Sequence, residues 1–138
     1  MMRVILFLLF GVLVTCHPAQ SDLKKEIEGE LRFAELHKVE SLAFKYAKIN
    51  SWRHFFLVYS ISESDFKVVK KHLVDVVGFE KFVVSNNGFD VHVDFPEKKA
   101  WNQNTESSVK NFSPSEHCSV FYISEPSLLV MEYFNSRG

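Results

Sequence analysis

Cysteine is scarce in this chain of 138 residues, with only Cys16 and Cys118. Two cysteines cannot build a disulfide framework, so the fold must stand on its core. Glycine (5) and proline (4) are few, which excludes collagen-like, linker-like and Pro-rich architectures. No stretch reaches the roughly 20 apolar residues that a membrane-spanning helix needs. Basic residues (16) do not exceed acidic ones (17), so no basic stripe marks a nucleic-acid partner. Catalytic signatures are missing as well: the chain holds no G-x-S-x-G, H-E-x-x-H, P-loop or G-x-G-x-x-G. No repeat or low-complexity tract occurs. Phenylalanine is plentiful (14 residues), and that argues for a packed globule over a disordered chain.

The first residues read as an address. Met1-Met2-Arg3 is a short positive start, Val4–Val14 is apolar apart from Gly11, and Thr15–Ala19 is a small-residue exit containing Pro18. That is the pattern of a secretory signal peptide, with cleavage after Cys16 or after Ala19. The expectation is a secreted, extracellular protein with a leader over 1–19 and a single domain over 20–138, a size that can bury a real core. Without Arg3 the remainder carries 15 basic and 17 acidic residues. Cleavage after Cys16 leaves Cys118 alone. An unpaired cysteine in an oxidising compartment is either buried and inert or bonded to another chain. The apolar residues after Cys118 favour burial, and an intermolecular disulfide is the alternative.

Ser21 or Asp22 is placed to cap a helix from Leu23. Leu23, Ile27, Leu31 and Ala34 recur at helical spacing, and a second ladder runs through Val39, Leu42, Ala43, Tyr46 and Ala47. The phase shifts near His37-Lys38, so the reading is one bent helix or two consecutive helices ending near Asn50-Ser51. Trp52–Ser62 is aromatic and β-branched, which predicts a strand apolar on both faces and hence central. Ser62 and Asp65 stand at capping-box spacing before a stripe of Phe66, Val69, Leu73 and Val76/Val77. Gly78 follows where a left-handed C-cap belongs. A helix over about 63–77 follows, although its valines also suit a strand.

Phe79–Phe95 predicts two strands joined at Asn86-Asn87-Gly88, because Asn-Gly tolerates the positive φ of a hairpin turn. On its second arm Phe89, Val91, Val93 and Phe95 alternate with Asp90, His92 and Asp94. Pro96 ends that strand. Glu97–Glu116 is polar and reads as a long loop, with a glycosylation sequon at Asn111-Phe112-Ser113 followed by Pro114. His117–Ser124 and Ser127–Phe134 are two further strands linked at Glu125-Pro126. Short turns between consecutive strands predict an α+β domain, N-terminal helices packed on a curved antiparallel β-sheet.

Three constellations invite a chemical reading. Asp90, His92 and Asp94 share one strand face, but residues two apart on a strand lie about 6.8 Å apart. Three in a row cannot converge on an ion at about 2 Å, so a solvated face is the plainer reading. His117 and Cys118 are adjacent on a predicted strand and so point to opposite sides. His17, if N-terminal, offers an amine and an imidazole to copper, with Pro18 directly behind it. The aromatic residues at 55, 56, 59, 121 and 122 fit a core better than a ligand box. The expectation is a non-enzymatic chain with no cofactor and no metal.

From the hairpin onward the chain resembles the secreted cystatins. Cys118-Ser119-Val120-Phe121-Tyr122-Ile123-Ser124-Glu125-Pro126 is similar to the cystatin strand that begins Cys-Ser and ends at a Pro-Trp turn. Phe82-Val83-Val84-Ser85-Asn86 stands where Gln-Val-Val-Ala-Gly would be, and Tyr46-Ala47 with Asn50 resembles the end of the cystatin helix. Phe82 departs from the pattern at the glutamine, Asn86 at the glycine and Ser127 at the tryptophan. The family's partner cysteines are missing, and about fifteen extra residues precede the turn.

The resemblance implies a helix laid on a curved sheet and a degenerate inhibitor of papain-like cysteine proteases. Its contacts would come from Val83, Val84, Ser85, Asn86, Asn87 and Gly88 in one turn and Glu125, Pro126 and Ser127 in the other. The chain also resembles the NTF2-like domains, which have three helices before their main strands and a pocket that binds small ligands or catalyses. That likeness implies a deep apolar pocket between sheet and helices. A secreted structural or signalling module is the third reading.

Overall fold

The computed structural model describes residues 20–51, 53–85 and 105–136. The leader-like segment, the turn Asn86-Asn87-Gly88, the arm Phe89–Phe95 and His17 all lie outside these residues. Nine elements follow in order: α1 (Gln20–Glu30), a 3-10 turn (Phe33–Glu35), β1 (Ala43–Ser51), β2 (His54–Ser60), α2 (Glu63–His72) continuing into a π-helical turn (Leu73–Val77), β3 (Val83–Ser85), β4 (Thr105–Ser113), β5 (Glu116–Ile123) and β6 (Leu128–Asn135). The strands form one antiparallel sheet in the order β1-β2-β6-β5-β4-β3. The fold is α+β, as the spacing of its elements predicts. Successive antiparallel neighbours leave β2 and β3 running the same way, so α2 carries the chain across the sheet to its far edge.

The helices cover one face. Three registered rows cross the middle of the sheet on that side: Phe55–Tyr133–Cys118, Leu57–Met131–Val120 and Tyr59–Leu129–Tyr122. Leu23, Ile27 and Leu31 of α1 and Phe66, Val69, Leu73 and Val77 of α2 pack onto them. Phe66 stacks on Tyr122 at 3.9 Å between ring centroids. On the opposite face Phe56, Val58, Phe121, Ile123, Leu128 and Val130 form a second buried cluster. Among the described residues it consists of strand residues, with Tyr46 packed against it. Burial on both faces is what the apolar residues of β2 predict, and β2 is an interior strand, second from the β1 edge.

Three expectations need correction. The second ladder, Val39 to Ala47, is not helical. Arg32 takes a left-handed conformation (φ 56°) and closes α1, and Ala43–Ser51 pairs with β2 as a strand. Its alternation wins over its helical spacing because β2 offers it a partner: Ala47 and Ile49 turn to the helix-side core while Tyr46 turns to the other cluster. Tyr46, Ala47 and Asn50 therefore do not end a helix.

Secondly, the polar stretch before Glu116 is not all loop, since Thr105–Ser113 is strand β4. Its serines and threonine tolerate a place near the sheet edge, where only Thr105 and Ser108 are buried. Asn111 accordingly sits in a strand, exposed and opposite His117. Thirdly, the first hairpin arm is strand only at Val83–Ser85 among the described residues, where it pairs with β4, and its expected partner arm lies outside them. Phe79 is instead a core residue, 4% exposed.

Capping chemistry was legible, with one diversion. Ser62 Oγ accepts the Asp65 N–H at 3.2 Å, as an N-cap should. Gly78, at φ 99°, ends the helical stretch in the left-handed region. The Asp65 carboxylate does not turn back to the Ser62 backbone. It accepts from the Ser41 N–H (2.8 Å), the Ser41 hydroxyl (2.5 Å) and the Glu40 N–H (3.2 Å). These bonds hold its carboxyl below the ordinary aspartate range, the Ser41 hydroxyl most of all.

Candidate functional site

The expected contact residues come from two turns far apart in sequence. The register brings the described ones, Val83–Ser85 and the β5–β6 turn, to one end of the sheet, while Asn86, Asn87 and Gly88 lie outside the described residues. Ser85 pairs with Thr105, Thr105 with Ile123, Ile123 with Leu128 and Leu128 with Ser60. The C-terminal end of β3, at Ser85, and the β5–β6 turn therefore lie at the same end of the sheet. Adjacent strands lie about 4.8 Å apart, so β3 stands roughly 10 Å from β5 and 14 Å from β6.

Among the described residues β3 is an edge strand, and Val83 and Val84 are open. Val83 is 60% and Val84 63% exposed, the most exposed large apolar side chains described. They alternate across the sheet. Val84 lies opposite Glu106, which takes a hydrogen bond from Lys70 of α2 at 3.0 Å. Val83 lies opposite Ser107 and borders a recess of about 270 Å³ that reaches Phe121. Phe82, just before β3, is partly buried edge-on against Phe66 at 5.8 Å. Open apolar side chains at a sheet edge are what strand-adding or turn-wedging partners use.

The β5–β6 turn is exposed at Glu125 and Pro126 and anchored beneath. Ser127 adopts φ 66°. Its hydroxyl donates to the Ile61 carbonyl and lies 3.0 Å from the Tyr122 hydroxyl, and its own carbonyl accepts the Ile61 N–H at 3.3 Å. The side chain expected to reach a partner thus faces inward and ties the turn to the end of β2. Glu125 and Pro126 remain as the outward residues of this turn.

Elsewhere the chemistry is quiet. Cys118 is fully buried, and burial pushes its thiol pKa upward, which keeps it protonated and poorly nucleophilic. His117 packs beside Phe134 at 5.4 Å between rings, while Cys118 belongs to the helix-side core, so the two do face apart. Burial also raises Tyr59, whose hydroxyl donates to Glu28 at 2.7 Å, and Tyr133, which hydrogen-bonds with Glu116. Glu30 is raised first by burial and then by the nearby Glu116 and Glu26 carboxylates. Phe55, Phe56, Tyr59, Phe121 and Tyr122 are all core. Among the described residues no group of three metal-ligating side chains converges. No helix among them is long and apolar enough to cross a membrane. Asp90, His92 and Asp94 lie outside the described residues.

One feature had no sequence expectation. A groove of about 560 Å³ runs between the segment 35–38 and α2, along the side of the helix away from the core stripe. Val68 falls off the helical stripe, and that offset was its only signal, since the spacing sets Val76 and Val77 alike on the stripe and only Val77 is buried. No family model matches the chain, and no curated protein or solved structure is significantly similar to it.

Proposed function

We propose that this chain is a secreted, non-enzymatic binding protein that meets an extracellular protein through the β3 end of its sheet and the neighbouring β5–β6 turn. The carrying observation is the register row from Ser85 to Leu128, which brings the end of β3, with its open valines, and the β5–β6 turn to one rim. The cystatin resemblance names a papain-like cysteine protease as the partner, since that family wedges two adjacent turns into the protease cleft. The anchoring of Ser127 supports the same reading, because a held turn loses less conformational entropy on binding. The leader-like segment supports secretion.

The space between sheet and helices is filled by Leu57, Val120 and Met131 under Ile27, Val69 and Leu73, all buried. That packing favours a contact surface over an NTF2-like interior pocket. Papain activity titrated with the purified protein tests the proposal. Inhibition that Val84→Lys abolishes, with the circular dichroism spectrum unchanged, is the expected result. A folded protein that neither binds nor inhibits papain at high concentration would remove the inhibitor reading.

A further inference from the structure

We propose that the groove beside α2 binds a small anionic amphiphile, a single acyl chain ending in a carboxylate. Its floor is apolar: Leu36 lies on one wall, and Val68 and Val76 on the other. Both valines are unusually open for a helix in a well-packed domain, at 38% and 44% exposure. The rim is cationic. Lys67 and Lys71 stand one helical turn apart on α2, and Lys38 faces them from the opposite segment. None of these three lysines takes part in a described hydrogen bond or ion pair.

Of the acidic residues at the rim, Glu35 is engaged by both guanidinium arms of Arg32. Asp75 sits one turn beyond Lys71. The groove is therefore locally positive on a chain whose formal charge is −1. An apolar floor under unpaired ammonium groups is complementary to a molecule with a tail and an anionic head. The volume, about 560 Å³, suits one acyl chain and is small for a docked helix. This groove is separate from the sheet end that carries the proposed protein contact.

Titration calorimetry of the full chain with dodecanoate, and in parallel with dodecanol, tests the assignment. Dodecanoate should bind saturably and about tenfold tighter than dodecanol, because exposed ion pairs add of order 1 kcal/mol each. Lys67→Gln with Lys71→Gln should remove that preference and leave dodecanol unchanged. Val68→Asp should weaken both ligands at least about tenfold, since it puts a charge into the apolar floor. Each variant is read only after its thermal transition matches the parent's, and Val76→Asp replaces Val68→Asp if that one fails to fold. Equal affinity for the acid and the alcohol overturns the proposal. So does undiminished dodecanoate binding in the double lysine variant, or no saturation at about 1 mM dodecanoate. Binding of an acidic peptide in preference to dodecanoate would also overturn it.

Discussion

The two edges of this sheet are built to opposite rules. At one edge β1 is nine residues long, carries Lys45 and Lys48, and breaks its register with β2 twice, between Phe44 and Tyr46 and between Ile49 and Ser51. Lysines and irregular register are common devices for keeping a free edge from pairing with another chain. At the other edge β3 is three residues long and sets out two open valines with no charge between them. The helices divide in the same way. α1 serves the β1–β2 side, with Glu28 on Tyr59 and Lys24 5.5 Å above the Phe44 ring. α2 serves the β3–β5 side, through Phe66 on Tyr122 and Lys70 on Glu106. The contrast between a guarded edge and an open one is what the proposed partner contact at β3 rests on.

The largest effect should come from undermining the open edge. Phe79→Ala removes a core side chain just before β3 and should cost about 3–5 kcal/mol. Ile49→Ala, half-buried on β1, should cost clearly less. Urea denaturation of both variants measures the difference, and equal losses would break the contrast between the edges. Next in size is Gly78→Ala. Its φ of 99° is strained for any residue with a Cβ, so the variant should lose about 1–2 kcal/mol at the joint between α2 and β3. A thermal shift near zero would mean that this joint relaxes freely.

On the guarded side Gly29→Ala should stabilise. Gly29 lies inside α1, and an added Cβ meets nothing within 4 Å. The gain expected from helix propensity is about 1 kcal/mol. A loss would show that α1 is not helical at that point in solution.

The smallest effect concerns pH. The Asp65 carboxyl titrates below its ordinary value, held there chiefly by the Ser41 hydroxyl and then by the Ser41 N–H. Its contribution is therefore complete above the unfolded value of about 3.9 and is lost as pH falls through the lower folded value. Because the segment it holds leads into β1, amide exchange in β1 should quicken below about pH 4 while β4 and β5 stay protected. Asp65→Asn should abolish that acid dependence. Uniform quickening across the sheet would refute the local latch.

Much of the fold was legible from spacing and caps. Leu23, Ile27 and Leu31 mark α1, and Phe66, Val69, Leu73 and Val77 with Ser62 and Gly78 mark α2. The alternating residues of β2, β5 and β6 fall on the two faces that their parity assigns. Of the contact residues that the resemblance implies, Val83 and Val84 are exposed on β3 and Glu125 with Pro126 at a turn, whereas Ser127 points inward to Ile61, and Asn86, Asn87 and Gly88 lie outside the described residues. The groove beside α2 was not legible, because its two walls come from segments some 30 residues apart and neither wall is a motif alone.

By itself the sequence determined which segments are strongly periodic, where α2 starts and stops, and that the core would be aromatic and free of disulfides. Those properties are local, set by side-chain spacing, capping hydrogen bonds and glycine's tolerance of positive φ. The tertiary structure alone decided that Ala43–Ser51 extends and that Thr105–Ser113 joins the sheet. It also decided that the end of β3 and the β5–β6 turn share one rim. Each of these depends on a partner strand that satisfies backbone hydrogen bonds, and short-range pattern carries no information about which strand that will be.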